Sequence, residues 1–197
     1  MWISITGMPG SSKSLALEFL QKEEFQLLQH LPPTGLPNMA SFEGNYLDLR
    51  IRTQFLAQRD KNRKDLVTIR TAWDSCHVFI PLQEQMERLT KEEANNLRAR
   101  FQCYADLLEP PSVVVVMKTD RQSIMNKLKM NDQLITDVEF KILEGLYENF
   151  TQKIKVPIIE LDTSQPQEIL QNNLIFGISS IRSSRSDGDT IWRKEFL

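Results

Sequence analysis

Apolar positions in this chain follow two rhythms. Short β-branched or alternating runs stand at residues 1–6 (MWISIT), 25–29 (FQLLQ), 65–71 (DLVTIRT), 112–117 (SVVVVM) and 156–161 (VPIIEL). Each has the length and composition of a strand. The run at 112–117 is apolar without a break, as expected of a parallel strand covered on both faces. Between these runs the spacing is helical. It predicts helices over 13–24, 45–62, 78–88, 91–108, 120–129 and 132–155, with a last one over 166–173. Residues 31–44 carry Pro32, Pro33, Gly35 and Pro37 and read as a loop. From residue 179 the chain turns polar and Ser-rich, so 1–178 is expected to be one domain and 179–197 a loose polar tail.

Strands alternating with helices imply an α/β fold, a parallel sheet with right-handed crossovers and helices on both faces. Ligands of such sheets bind at the carboxyl ends of the strands. The chain has 197 residues, enough for one domain with a sizeable core. Its net charge of −2 excludes a sequence-independent nucleic-acid footprint. Cys76 and Cys103 have neither disulfide-scaffold nor zinc spacing, which suits a reducing, cytoplasmic setting. No run approaches the ~20 apolar residues of a membrane span, and the start does not read as a secretory signal.

The first strand runs into Gly7-Met8-Pro9-Gly10-Ser11-Ser12-Lys13-Ser14. A phosphate-binding loop has the pattern G-x-x-x-x-G-K-[S/T] between a strand and a helix, and Ser12 takes the place of the second Gly. Backbone amides from Gly7, Gly10, Ser11 and Ser12 would converge on phosphate at the helix N-terminus. Lys13 would reach the β- and γ-phosphates of ATP, and Ser14 would hold Mg²⁺. If position 12 needs a positive φ, a non-glycine residue costs about 1–2 kcal/mol. The plain alternative is an ordinary strand-to-helix turn with serine caps. Arg70 ends an apolar strand, where an unpaired charge is costly, so a phosphate or carboxylate partner is expected.

The order of segments resembles the deoxynucleoside kinase family of P-loop kinases. The resemblance covers roughly residues 1–162. It rests on GMPGSSKS, the helix NYLDLRIRTQFLAQRDKNRK, the strand and turn DLVTIRTAWDSCHVF, the strand SVVVVMKTD and the late LYENF. It implies a P-loop kinase-like three-layer fold with a five-stranded parallel sheet of order 2-3-1-4-5. It also implies transfer of the ATP γ-phosphoryl group to a nucleoside 5′-hydroxyl. Gln54 matches a base-reading Gln, and Lys127 and Lys129 stand where the family has an Arg-rich lid. Trp73, Tyr46 and Arg59 are candidates to complete a nucleoside pocket. Family members commonly pair through helices, which makes residues 84–108 the candidate surface of a homodimer.

Three departures matter. Ser12 replaces a loop Gly, Ile69 replaces a Glu that helps organise Mg²⁺, and Gln29 and His30 stand near the place of a base carboxylate. Glu43, on the loop that follows, is a candidate to take its place, and His30 is another, the alternative for His30 being a surface loop histidine. A second reading is therefore a catalytically degenerate relative that binds nucleotide or serves as a structural partner. A third is a nucleoside monophosphate kinase, since the loop also resembles the Gly-x-Pro-Gly-Ser-Gly-Lys of adenylate-kinase-like enzymes. A switch-type nucleoside triphosphatase would want an Asp directly after an apolar strand, and Asp120 lies three residues too far.

Overall fold

The computed structural model describes residues 1–28, 36–131 and 135–186. Its centre is a parallel sheet of strands β1 Trp2–Thr6, β2 Gln26–Leu28, β3 Leu66–Ile69, β4 Val113–Lys118 and β5 Ile158–Asp162. The strand order is β2-β3-β1-β4-β5, and every pairing is parallel. Ile5 pairs with Ile69 on one side and Val115 on the other, so β1 lies at the middle of the sheet.

The unbroken apolar run of β4 serves two cores. Val114 and Val116 face one, and Val113, Val115 and Met117 face the other, as a period of two requires. On β1, Ile3 and Ile5 join the second core, where helix α1 Lys13–Lys22 supplies Ala16, Phe19 and Leu20. Thr6, of the opposite parity, turns to the other face and donates to Asp74 Oδ1. That face is covered by α2 Met39–Asp60, α3 Ala72–Asp74, α4 Ile80–Gln85, α5 Lys91–Ala105 and α7 Asp137–Gln152, while α6 Arg121–Met130 follows β4.

Helix α2 starts at Met39, inside the stretch read from sequence as a loop. Asn38 caps it by accepting from Ser41 N at 2.8 Å. Gly44, which reads as a breaker, lies inside the helix, where a Cβ would make ordinary contact, at 3.4 Å, with Leu97 and Arg100 of α5. Glu43 is thus a buried helical residue and not a loop residue. The helix expected from residue 78 begins earlier, at Ala72, where Thr71 and Asp74 form a capping box. A π-helical turn, Ser75–Phe79, then widens the chain before α4.

The last helix, α8 Gln167–Ser186, runs well past residue 173 and through the start of the polar stretch. Leu170, Leu174 and Ile178 are buried at helical spacing and Ile181 packs beside them, while Ser183 and Ser184 bond back to carbonyls four residues earlier. His30, the prolines at 32 and 33, and the tail beyond 186 lie outside the described residues.

Candidate functional site

Three elements end at the same edge of the sheet: β1 at Thr6, β3 at Ile69 and β4 at Lys118. The loop 7–14 leaves β1 there. Gly7 has φ 139°, and a Cβ on it would come within 2.9 Å of the Met117 carbonyl, so this position requires glycine for space as well as for angle. Ser12 has φ 58° and ψ 37°, the left-handed conformation that the pattern's second glycine would take at no cost. It is the N-cap of α1, yet its side chain accepts no capping bond. The Leu15 amide donates to the Ser12 carbonyl at 3.0 Å, and those of Lys13 and Ser14 are left to an outside acceptor.

Lys13 folds back across the loop. Its Nζ donates to Met8 O at 2.7 Å and Gly7 O at 3.0 Å. Burial pushes its pKa well below the ordinary lysine value, Arg70 adds to that fall, and Asp74 opposes it. The Ser14 hydroxyl lies on an exposed residue at the head of α1. Lys127 reaches over from α6 and donates to Ser12 Oγ. Ser12, Ser14, Lys127, Thr163 and Gln165 line a cavity of about 340 Å³ beside the loop.

A second cluster lies between the sheet edge and α2. Arg70 follows β3 with φ 65°, and its guanidinium sits 4.5 Å from the centre of the Phe79 ring. Arg50 of α2 approaches the same ring at 4.9 Å and the Tyr46 ring at 5.4 Å, and it donates to Ser75 Oγ. The π-helical turn is what brings Ser75 and Phe79 to these arginines. Burial and then Arg70 lower the pKa of Arg50. Asp74 accepts from Thr6 at one oxygen and from Thr71 N and Oγ1, at 2.8 and 2.9 Å, at the other. Glu43 is buried and accepts from Gln83 Nε2 at 3.3 Å; burial raises its pKa, against the pull of Arg50. Tyr147 is buried beside Arg70, and burial raises its pKa too.

Of the residues singled out from sequence, Gly7, Gly10, Ser11, Ser12, Lys13, Ser14 and Lys127 come together at the loop, and Tyr46 joins Arg70 in the second cluster. Gln54 is buried rather than exposed. Its Oε1 accepts from Ala72 N at 2.5 Å, so it ties α2 to the turn after β3, and its Nε2 is buried without a partner among the described residues. Trp73 packs edge-on against Phe101 at 6.2 Å and belongs to the core, with no face free for a base. Arg59 lies on an exposed part of α2 and pairs with Asp60 at 2.8 Å. It is about two and a half turns beyond Arg50, hence on the opposite side of the helix. Lys129 is exposed and apart from the loop contact that Lys127 makes.

Sequence reasoning assigned no role to Arg50 or Asp74, and Phe79 entered only as part of the resemblance carried by DLVTIRTAWDSCHVF. Arg50 was findable: Glu43, Tyr46, Arg50 and Gln54 follow at spacings of three and four, a polar stripe beside the apolar one of Leu47 and Ile51. Phe79 carried no periodic signal, because the π-helical turn shifts the register that a regular helix would give, and Asp74 lies before that turn in a helix of three residues, too short to show a period.

No protein-family model and no curated protein sequence matches the chain. Solved structures do match. A structure of deoxyadenosine kinase from M. mycoides with the products dCMP and a flexible dCDP bound is 13% identical, with TM-score 0.71. The same enzyme with bound dATP gives 14% and 0.67, and with bound dCTP 17% and 0.68. Each similarity covers 91% of this chain and 100% of the other. With its five parallel strands in the order 2-3-1-4-5 and helices on both faces, the chain has a deoxynucleoside-kinase-like fold.

Proposed function

We propose that this chain is a nucleoside-kinase-like phosphotransferase. It holds the phosphates of ATP on the loop 7–14 and passes the γ-phosphoryl group to the 5′ end of a (deoxy)nucleoside-type acceptor. The observation that carries this reading is the loop itself. Gly7, Gly10 and Ser12 all have positive φ, the amides of Lys13 and Ser14 have no partner among the described residues, and Lys13 and Lys127 bracket the turn. Such a loop fits an anion with several oxygens.

ATP bound there supplies the phosphoryl group to be moved. The chain's own residues do the rest. Lys13 and the loop amides neutralise and orient phosphate oxygens, and the Ser14 hydroxyl is the group that would meet Mg²⁺. Arg70, near enough to Lys13 to alter its ionisation, steadies charge between donor and acceptor. The acceptor's cleft lies toward Tyr46, Arg50 and Phe79.

Ile69 favours a second reading, a relative that binds nucleotide without turning it over. It stands where the resemblance puts a metal-organising Glu, and the nearby Asp74 has both oxygens engaged within the fold. Two measurements separate the readings. ATP–Mg²⁺ a hundredfold above its Kd should stabilise the chain by about 2.7 kcal/mol. Phosphate transfer is then assayed on a panel of deoxynucleosides and their monophosphates. Stabilisation with turnover supports the kinase. Stabilisation without turnover supports the non-catalytic relative, and absence of both removes the nucleotide reading.

A further inference from the structure

Two guanidinium groups converge on one aromatic ring. Arg50 comes from α2 and Arg70 from the end of β3, at 4.9 and 4.5 Å from the centre of Phe79. Like charges this close repel: burial and then the charge on Arg70 lower the pKa of Arg50, while Asp74 and Glu43 pull it back up. Asp74 spends its oxygens on Thr6 and Thr71. Glu43 is buried against Gln83, and burial favours its neutral form. Arg70 Nε and Tyr147 Oη are both buried with no well-formed hydrogen bond among the described residues, though Arg70 lies close enough to pull the Tyr147 pKa down against the burial that raises it. Arg70 is held, besides, in a left-handed backbone conformation that a non-glycine residue adopts only at a cost. Two guanidinium groups on one ring, buried donors left over among the described residues and local strain together describe a place for an anion.

We propose that Arg50 and Arg70, with Tyr147, form a second anion subsite, distinct from the loop 7–14, that takes the 5′-phosphate of a nucleoside monophosphate. The acceptor is then a nucleotide, not a nucleoside. This deepens the proposed function and rests on it for the donor alone.

The chemistry suits the residues present. A monophosphate has its second pKa at about 6, so near neutral pH an oxygen of it attacks without first losing a proton. The bond between the γ-phosphorus and its bridging oxygen breaks, and a new P–O bond forms to the acceptor phosphate. ATP and the monophosphate become ADP and the diphosphate. A nucleoside hydroxyl, by contrast, needs a base. The sequence has no Asp or Glu between Glu24 and Glu43, the stretch where the resemblance expects that carboxylate.

The test is calorimetric titration of the full chain, without ATP, using a deoxynucleoside and its 5′-monophosphate for each of four bases. For at least one base the monophosphate should bind tenfold or more tightly than its nucleoside. Arg50→Met should bring the two to parity, and Lys13→Ala should keep the preference. Arg50→Lys, which retains the charge, should keep part of it and guards against misfolding in Arg50→Met. Parity in the parent for all four bases overturns the proposal, as does a preference that survives Arg50→Met. A preference abolished by Lys13→Ala also overturns it, by assigning the phosphate to the loop. Turnover of nucleosides but not monophosphates overturns the acceptor claim, since the phosphate bound would be the product's. If ATP–Mg²⁺ fails to bind while the preference holds, the donor reading falls and this subsite stands.

Discussion

Lys127 of α6 donates a hydrogen bond to the hydroxyl of Ser12, the residue that replaces the phosphate loop's second glycine. The backbone at Ser12 is left-handed, with φ 58°, at a cost of about 1–2 kcal/mol for an L-residue. The tether returns about 0.5–1.5 kcal/mol, the net contribution of an ordinary hydrogen bond. The two are of one size. Serine here exchanges an easy backbone for a link between the loop and the helix after β4.

Substitution separates these terms. Ser12→Ala keeps the strained φ and loses the hydroxyl, so it should lower stability by about 1 kcal/mol. Ser12→Gly relieves the strain but loses the tether and frees the unfolded chain by about 0.4–1 kcal/mol. It should fall within about 0.5 kcal/mol of the parent. Urea denaturation measures both. An alanine variant as stable as the parent would show that the Lys127 contact contributes nothing.

Glu43 gives the fold a pH dependence of known sign. Burial raises its pKa in the folded chain, so the folded state holds this proton more tightly than the unfolded one. Its contribution is then full below the ordinary carboxylate range and is lost as pH rises through the folded-state value. The slope from this one group is at most about 1.4 kcal/mol per pH unit. Glu43→Gln keeps an acceptor for Gln83 and removes the titration. Melting curves should show it more stable than the parent near pH 7 and without that advantage near pH 4. An equal gap at both pH values would mean that folding does not raise the Glu43 pKa.

Much of the fold was legible because β4 and β1 are unambiguous. Four consecutive valines can serve only a strand buried on both faces, and the glycine-bearing turn after β1 fixes which strand leads into the phosphate loop. Helix starts were less legible. Pro37 and Gly44 read as loop, although Asn38 caps a helix and Gly44 is the point where α2 meets α5. The serines of α8 hid the spacing of Leu170, Leu174 and Ile178. At the site, Lys13, Ser12 and Arg70 could be read from local spacing. The Arg50–Phe79–Arg70 cluster could not, since it joins α2, β3 and an irregular turn that no periodic pattern marks.

Gly145 tests the frame apart from any ligand. It lies inside α7, and a Cβ there meets nothing within 4 Å. Gly145→Ala should stabilise the chain by about 1 kcal/mol through helix propensity alone. Denaturation with an unchanged m-value checks this. A loss of stability would mean that α7 is not a regular helix at this point.

The claim on which the rest depends is that the loop 7–14 wraps phosphate with Lys13 as its cation. The direct measurement is the melting temperature of the parent and of Lys13→Ala across a titration of ATP–Mg²⁺. The parent should rise by several degrees at saturation, and Lys13→Ala, folded by circular dichroism, should not respond. A parent indifferent to ATP–Mg²⁺, or a variant that responds as the parent does, would contradict the account.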